Sequence, residues 1–156
     1  MSIKTYKKVL LVQPFYPASV KKGPTLQVGL GCIAEYLNKD GVGTVTVDMQ
    51  LGYSLDELIE KINIYRPDLI GFTMMTISYI GTYTLITDVK KRNPSIPIVV
   101  GGPHISTLRE TALVECPSID FGVVMEGEIT TAELCKGFEL DEIKGLIYRN
   151  QDGAIK

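Results

Sequence analysis

The chain has 156 residues, a formal net charge of −2 and 45% hydrophobic residues, which predicts one domain with its own core and excludes a disordered chain. Its 16 Lys and Arg against 18 Asp and Glu leave no positive excess for a phosphate backbone, which argues against a nucleic-acid-binding protein. No apolar run reaches the roughly 18 residues that a membrane-spanning helix needs, and the apolar run after Lys4, Lys7 and Lys8 is too short for a signal peptide.

The first half of the chain alternates short apolar runs with helical patterns. Residues 9–12 form a continuous apolar run, which is typical of a central strand covered on both faces. A helix is predicted to begin at Thr25 with its apolar positions on one face, and the β-branched residues 44–47 predict a second strand. Ser54 and Glu57 have the spacing of a capping box, which predicts the start of the second helix.

The second half continues the alternation. Residues 69–72 predict the third strand, and a helical pattern follows up to Arg92. Residues 96–100 predict the fourth strand and 106–115 a helix. Residues 119–124 predict the fifth strand, with a short helix after it.

Strand and helix patterns that alternate in series predict an α/β fold with a parallel sheet. We predict a flavodoxin-like, doubly wound, five-stranded sheet in the order 2-1-3-4-5. Near the end of the chain, residues 144–149 and 154–156 flank a turn sequence, which predicts a C-terminal β-hairpin extension whose second strand is cut short. We expect residues 1–140 to form the domain, and residues 141–156 to be a hairpin that leads into a further domain of a longer protein.

A sheet of this order binds ligands beyond the carboxyl ends of its strands, where the strand order reverses. Gly101 and Gly102 follow the fourth strand, and they either leave room for a bulky ligand or form a tight turn with positive φ. Thr73 and Thr76 follow the third strand with Met74 between them. These residues either contact a ligand through hydroxyls and a thioether or form a helix cap beside a core methionine.

Charged and titratable candidates follow the fourth and fifth strands. Glu126 and Glu128 flank Gly127, and we expect Glu128 to cap the next helix, although two carboxylates also suit acid–base or metal chemistry. His104 is the single histidine and is expected near the crevice, where a role as base or ligand competes with a structural role in holding the loop.

Two further patterns indicate what the chain is not. Gly29 and Gly31 begin a GxGxxA pattern, but they lie well past the first strand and inside the predicted helix, which indicates close helix–sheet packing rather than dinucleotide binding. Cys32, Cys116 and Cys135 are far apart and form no zinc or iron–sulfur motif. An odd number of scattered cysteines suits a reducing compartment, so a cytoplasmic location is expected.

Six segments in a fixed order carry a family resemblance. They are VLLVQPFYP (9–17), GLGCIAEYLNKDG (29–41), RPDLIGFTMMT (66–76), IPIVVGGPHIS (96–106), DFGVVMEGE (120–128) and IKGLIYRNQDG (143–153). With them the chain resembles the N-terminal cobalamin-binding domain of B12-dependent radical S-adenosylmethionine enzymes, of the methyltransferase or Mg-protoporphyrin monomethyl ester cyclase type. The resemblance covers nearly the whole chain.

The resemblance implies a domain that holds cobalamin at the carboxyl edge of the sheet, with the dimethylbenzimidazole tail tucked into the domain. Relatives of the mutase type place a histidine below cobalt with a DxHxxG motif after strand 1, but Pro14 and Phe15 stand there in this chain. That departure fits the radical enzymes, whose cobalamin usually has no protein histidine on cobalt. The implied cofactor-binding residues are Gln13, Pro14, Phe15, Thr73, Met74, Thr76, Gly101, Gly102, Pro103, His104, Glu126, Gly127 and Glu128.

The resemblance also assigns the catalysis to another part of the protein. S-adenosylmethionine and a [4Fe-4S] cluster would belong to a following radical SAM barrel, because this chain has no CxxxCxxC motif. That barrel is the expected partner, and no catalytic or metal-ligating residue is expected here. One alternative is a docking domain of the same family that no longer binds cobalamin, and another is a free-standing enzyme that uses His104 with Glu126 or Glu128.

Overall fold

The structure is a computed structural model that describes residues 4–15, 28–150 and 152–156. The described strands form one sheet in the order β2-β1-β3-β4-β5-β6. The strands are β1 Lys8–Gln13, β2 Gly43–Asp48, β3 Leu69–Thr73, β4 Ile98–Gly101, β5 Phe121–Val123 and β6 Leu146–Tyr148. The helices are α1 Val28–Lys39, α2 Leu55–Tyr65, α3 Tyr79–Arg92, α4 Pro103–Leu108, α5 Glu110–Glu115 and α6 Glu128–Lys136. Short 3-10 turns occur at Met49–Leu51, Thr76–Ser78 and Leu140–Glu142.

The predicted α/β class is confirmed, and β1 to β5 pair in parallel in the predicted order 2-1-3-4-5. The predicted count of five strands is wrong, because β6 adds a sixth strand antiparallel to β5, with Phe121 opposite Tyr148 and Val123 opposite Leu146. This pairing satisfies backbone groups that β5 would otherwise present at a sheet edge. Within the described residues, no helix is both long and apolar enough to cross a membrane.

The predicted C-terminal hairpin is present. The backbone N–H of Tyr148 donates to the carbonyl of Lys156, and the N–H of Lys156 donates back, both at 3.0 Å. Gly153 adopts a φ of 82° in the turn, where a glycine is favoured. Ile147 and Tyr148 are buried, so the tail packs onto the sheet.

The sheet is covered on both faces. Val9 and Leu11 of β1 belong to the core cluster under α1 and α6, whereas Leu10 and Val12 belong to the cluster under α2, α3, α4 and α5. Successive side chains of a strand point to opposite faces, and this alternation produces the continuous apolar run of β1.

Local sequence signals fix the ends of α2. The N–H of Glu57 donates to Ser54 Oγ at 3.2 Å, and the N–H of Ser54 donates to Glu57 Oε2 at 2.8 Å, so the predicted capping box is confirmed. Arg66 ends the helix in the left-handed conformation. The predicted cap of the first helix at Thr25 lies outside the described residues.

The prediction of a single helix over residues 106–115 is wrong. The segment forms two short helices, α4 and α5, which meet at Arg109 with φ 50° and ψ −125°. Helix α4 also begins earlier, because Pro103 occupies its first position, where the fixed φ of proline suits a helix start.

Candidate functional site

A cavity of about 290 Å³ opens at the carboxyl end of the sheet, on the face covered by α1 and α6. Its walls come from α1, from the ends of β1, β3, β4 and β5, and from the start of α6. It is lined by Leu11, Gly29, Leu30, Ile33, Gly71, Phe72, Thr73, Val99, Gly101, Gly102, Pro103, Val123, Met125, Glu126, Gly127, Glu128 and Thr131. This volume is at the lower end of the range for small-molecule pockets.

Strand register explains which residues form the floor of the cavity. Leu11, Gly71 and Val99 lie side by side on β1, β3 and β4. Two residues further along, Thr73 and Gly101 are paired in the next row. Both rows face the α1 and α6 side because side chains alternate along a strand.

Gly71 is a floor residue that the sequence analysis missed. A Cβ at Gly71 would lie 2.8 Å from Leu11 Cδ2, so the Leu11 side chain lies directly over the glycine. A glycine inside an apolar strand marks the close approach of another group. The signal in the sequence was therefore the single glycine within residues 69–72.

The two glycines after β4 have different roles. Gly102 has a φ of 105°, and a Cβ there would lie 2.7 Å from the carbonyl oxygen of Met74, so the turn itself requires glycine. A Cβ at Gly101 would approach Val123 no closer than 3.8 Å, which is ordinary contact. Gly102 therefore fits the tight-turn interpretation, while Gly101 leaves room for a ligand. Pro103 lines the cavity beside them.

Met125 lies at the mouth of the cavity, the side that opens to solvent, and its side chain is 75% exposed. Its φ of 65° places it in the left-handed region, which costs a residue with a side chain about 1–2 kcal/mol. The Met125 N–H donates to Ser106 Oγ at 2.9 Å. Strained residues of this kind cluster at functional sites.

Glu126, Gly127 and Glu128 all line the cavity. Gly127 is the N-cap of α6 and Glu128 its first residue, and the N-cap glycine has no side chain to bond to this helix end. The carboxylate of Glu128 therefore stands in the first turn, at the positive end of the helix, where the predicted capping role places it. In the part of the chain that the structure describes, no group of three or more His, Cys, Asp or Glu is placed to hold a metal ion.

Two predicted contacts of the loop after β3 lie away from the cavity. Met74 is fully buried in the core cluster under α2, α3, α4 and α5, because it points to the face opposite that of Thr73. Met74 is thus a core methionine rather than a wall of the cavity. Thr76 is exposed at the start of the turn Thr76–Ser78 and does not line the cavity.

His104 is buried against α3 rather than placed at the rim of the crevice. Its ring stacks on Tyr79 with centroids 4.7 Å apart, and its Nε2 lies 3.1 Å from the hydroxyl of Tyr83, which donates to Glu115 Oε2 at 3.1 Å. Burial lowers the pKa of His104, and the charge of Glu115 opposes this shift. The alternative of a free-standing enzyme used His104 as its base, and this alternative is not supported because His104 does not line the cavity.

Gln13, Pro14 and Phe15, the site residues predicted at the end of β1, are not among the described residues that line the cavity. Gln13 and Pro14 are buried, and Phe15 is 47% exposed. Gln13 lies two residues after Leu11 on the same strand, and its side chain therefore points to the same face of the sheet. The rest of this loop, from Tyr16, lies outside the described residues.

Helix α1 contributes lining residues that the sequence analysis did not predict, namely Gly29, Leu30 and Ile33, and α6 contributes Thr131. A Cβ at Gly29 or Gly31 would meet no described atom within 4 Å. The predicted close helix–sheet packing of these glycines is therefore wrong, and Gly29 instead leaves open space at the cavity. The sequence signal that could have predicted these lining residues of α1 is the periodic apolar face of the helix.

Comparison with known proteins gives relatives that are longer than this chain. It is 31% identical to an uncharacterized methyltransferase of Pyrococcus horikoshii over 158 residues, which covers 96% of the chain and 34% of that protein. It is 28% identical to an anaerobic magnesium-protoporphyrin IX monomethyl ester cyclase of Synechocystis sp. over 159 residues, which covers 96% of the chain and 32% of that protein. The chain thus spans about a third of the length of these relatives.

The fold also matches a solved structure. The cobalamin-dependent S-adenosylmethionine radical enzyme OxsB, solved with aqua-cobalamin and S-adenosylmethionine bound, superposes with a TM-score of 0.82 at 24% identity. The match covers 96% of this chain and 22% of that one. A model of the B12 binding domain matches residues 18–135, which is most of the sequence. The chain therefore belongs to the B12 binding domain family.

Proposed function

We propose that this domain binds cobalamin and holds it for chemistry carried out by a further domain of the same protein. The observation that carries the proposal is the cavity at the carboxyl end of the sheet, floored by Gly71 and Gly101. At about 290 Å³ it is too small for a corrin ring. It would admit only an appendage of the cofactor, and the ring would lie outside the mouth.

The lining suits the nucleotide tail of cobalamin. Most of the cavity wall is hydrocarbon, from Leu11, Leu30, Ile33, Val99 and Val123. An aromatic heterocycle such as dimethylbenzimidazole gains free energy when it leaves water for such a site. The lining residues Thr73 and Thr131 offer hydroxyls that donate or accept a hydrogen bond to the polar part of the tail. The residues present therefore fit the group.

Bound cobalamin supplies a cobalt centre that can carry a methyl group. This chain's own part is to bind and orient the cofactor. The single histidine of the sequence is held against Tyr79 and Tyr83. We infer that no imidazole of this chain ligates cobalt. The end of β1 offers instead the half-exposed apolar side chain of Phe15, which would help to exclude water from the bound cofactor.

Exposed apolar side chains surround the carboxyl edge of the sheet. They are Phe15, Ile77, Met125 and Ile129, of which the last three are 60% exposed or more. Concentrations of exposed apolar surface mark interaction sites. We assign this edge to the corrin ring and to a radical SAM barrel of the same protein, which would bind S-adenosylmethionine and a [4Fe-4S] cluster.

The test is direct binding of the cofactor. Hydroxocobalamin is added in excess to the purified domain, the mixture is desalted, and the visible spectrum of the protein fraction is recorded. We expect cobalamin to be retained at close to one equivalent in the base-off form, because the tail would occupy the cavity instead of coordinating cobalt. A protein fraction without cobalamin would contradict the proposal and favour a docking domain that has lost the cofactor.

A further inference from the structure

The deep end of the cavity, which lies furthest from the carboxyl ends of the strands, is walled by hydrocarbon. Leu11, Gly71 and Val99 form its floor in one row across β1, β3 and β4. A Cβ at Gly71 would lie 2.8 Å from Leu11 Cδ2 and 3.6 Å from Val99 Cγ1, so both apolar side chains pack over the glycine. On the helix side, Leu30 and Ile33 of α1 add two further apolar side chains to the lining.

The backbone of the floor is already used in the sheet. The strands β1, β3 and β4 each have a paired strand on both sides, so their N–H and C=O groups bond to neighbouring strands and lie in the plane of the sheet. Among the residues that the structure describes, the floor therefore presents neither a hydrogen-bond donor nor an acceptor to a ligand.

The hydroxyl groups of the cavity lie one row nearer the mouth. Thr73 pairs with Gly101, two residues beyond the floor. A Cβ at Gly127 would lie 3.8 Å from Thr131 Oγ1 and 3.5 Å from Val123 Cγ1, which places the Thr131 hydroxyl beside the end of β5. The cavity is thus apolar at its floor and polar towards its mouth.

We propose that this arrangement selects corrinoids by their lower base, the heterocycle at the end of the nucleotide tail, and that it accepts benzimidazoles and rejects purines. The inference rests on the proposed function. The six-membered ring of the base lies furthest from the ribose, so this ring would reach the floor. In a benzimidazole it carries only hydrogen or methyl groups. In adenine it carries two ring nitrogens and an amino group, which would lose their hydrogen bonds to water without replacement.

The test measures the Kd of the wild-type domain by equilibrium dialysis for hydroxocobalamin and for two analogues, one with unsubstituted benzimidazole and one with adenine as the lower base. We expect the adenine analogue to bind at least about ten-fold more weakly than the benzimidazole analogue, because a polar group would be buried unpaired. Both analogues lack the methyl groups of dimethylbenzimidazole, so lost methyl contacts do not explain the difference. Adenine also leaves cobalt more readily than benzimidazole, so release of the base would favour the adenine analogue.

Val99→Thr adds a hydroxyl to the floor, and Val100→Thr is the matched control. Val100 is the next residue of β4, and its side chain is buried in the core cluster on the opposite face of the sheet. We expect Val99→Thr to lower the ratio of the two Kd values several-fold, because its hydroxyl can pair with a ring nitrogen or the amino group of adenine. Val100→Thr should leave this ratio unchanged.

Equal affinity of the wild type for the benzimidazole and adenine analogues overturns the inference, while hydroxocobalamin binding, and with it the proposed function, stands. This comparison needs neither variant, so it decides even if Val99→Thr impairs folding. A ratio that a folded Val99→Thr leaves unchanged, or that both variants lower equally, also overturns the inference, because the floor would then not set the selection. If the wild type binds none of the three corrinoids, the proposed function fails, and the inference with it.

Discussion

At the scale of single residues, the structure separates two glycines that look equivalent in sequence. Gly102 is required by its φ of 105° and by the Met74 backbone 2.7 Å from its missing Cβ, whereas a Cβ at Gly101 would make only ordinary contacts. We therefore expect Gly102→Ala to lower the free energy of unfolding by about 2 kcal/mol or more. Gly101→Ala should change it by less than about 0.5 kcal/mol. Urea unfolding of both variants tests this, and equal losses would contradict the assignment.

Met125 combines a strained backbone with an exposed side chain at the mouth of the cavity. Because its φ is 65°, Met125→Gly should raise the free energy of unfolding by about 1 kcal/mol. If the methionine side chain contacts the cofactor, the same variant should bind hydroxocobalamin less tightly. Met125→Ala keeps the strain and serves as the control for lost contact. If Met125→Gly is less stable than the wild type and binds hydroxocobalamin equally well, both the backbone strain and the cofactor contact of Met125 are contradicted.

The buried His104 makes stability depend on pH. Burial lowers its pKa, with Glu115 opposing, so below about pH 6.5 the unfolded chain takes up a proton more readily than the folded chain. Stability is therefore fully present above that pH and is lost as the pH falls below it. We expect the free energy of unfolding to fall between pH 7 and pH 5, and this slope to be reduced in His104→Gln. The chain has no other histidine, so an unchanged slope would contradict the environment described for it.

At the scale of elements, local signals in the sequence were sufficient where the structure is set locally. Ser54 and Glu57 predict the start of α2 because a capping box needs only four consecutive residues. The position of His104 could not be predicted, because it depends on how α3 and α4 pack. The packing of Leu11 over Gly71 depends on the register between β1 and β3, which cannot be predicted from a local sequence pattern. The break between α4 and α5 at Arg109 could not be predicted either, because no glycine or proline stands at that position.

The strand β6 illustrates the same limit and supplies a test. The sequence predicted the hairpin, but its pairing with β5 joins residues far apart in the chain. Deleting residues 143–156 would remove the buried side chains of Ile143, Ile147 and Tyr148. We expect a loss of about 4 kcal/mol or more in the free energy of unfolding. Deleting only residues 154–156 should have a smaller effect, since it removes the exposed Lys156–Asp141 ion pair and the two backbone hydrogen bonds to Tyr148 but leaves Ile143, Ile147 and Tyr148 in place.

At the scale of the whole molecule, the order of the strands was predictable because right-handed crossovers leave few arrangements of serial strand–helix units. That order places the loops after β1, β3, β4 and β5 at one edge, and a cavity lies there. Thr73, Gly101, Gly102, Pro103 and the three residues 126–128 were brought together as predicted. Met74 and His104 were not, because each side chain points to the opposite face of the sheet.

The central claim is that the cavity receives the tail of cobalamin, and Gly101 offers the most direct measurement. Leucine at Gly101 would project into the cavity, whereas Gly81→Leu on α3 serves as the control, since a Cβ there meets no described atom within 4 Å. Equilibrium dialysis against hydroxocobalamin should give the wild type and Gly81→Leu the same Kd. Gly101→Leu should bind at least about ten-fold more weakly while its thermal midpoint stays close to that of the wild type. Wild-type affinity in Gly101→Leu would show that the tail does not enter this cavity.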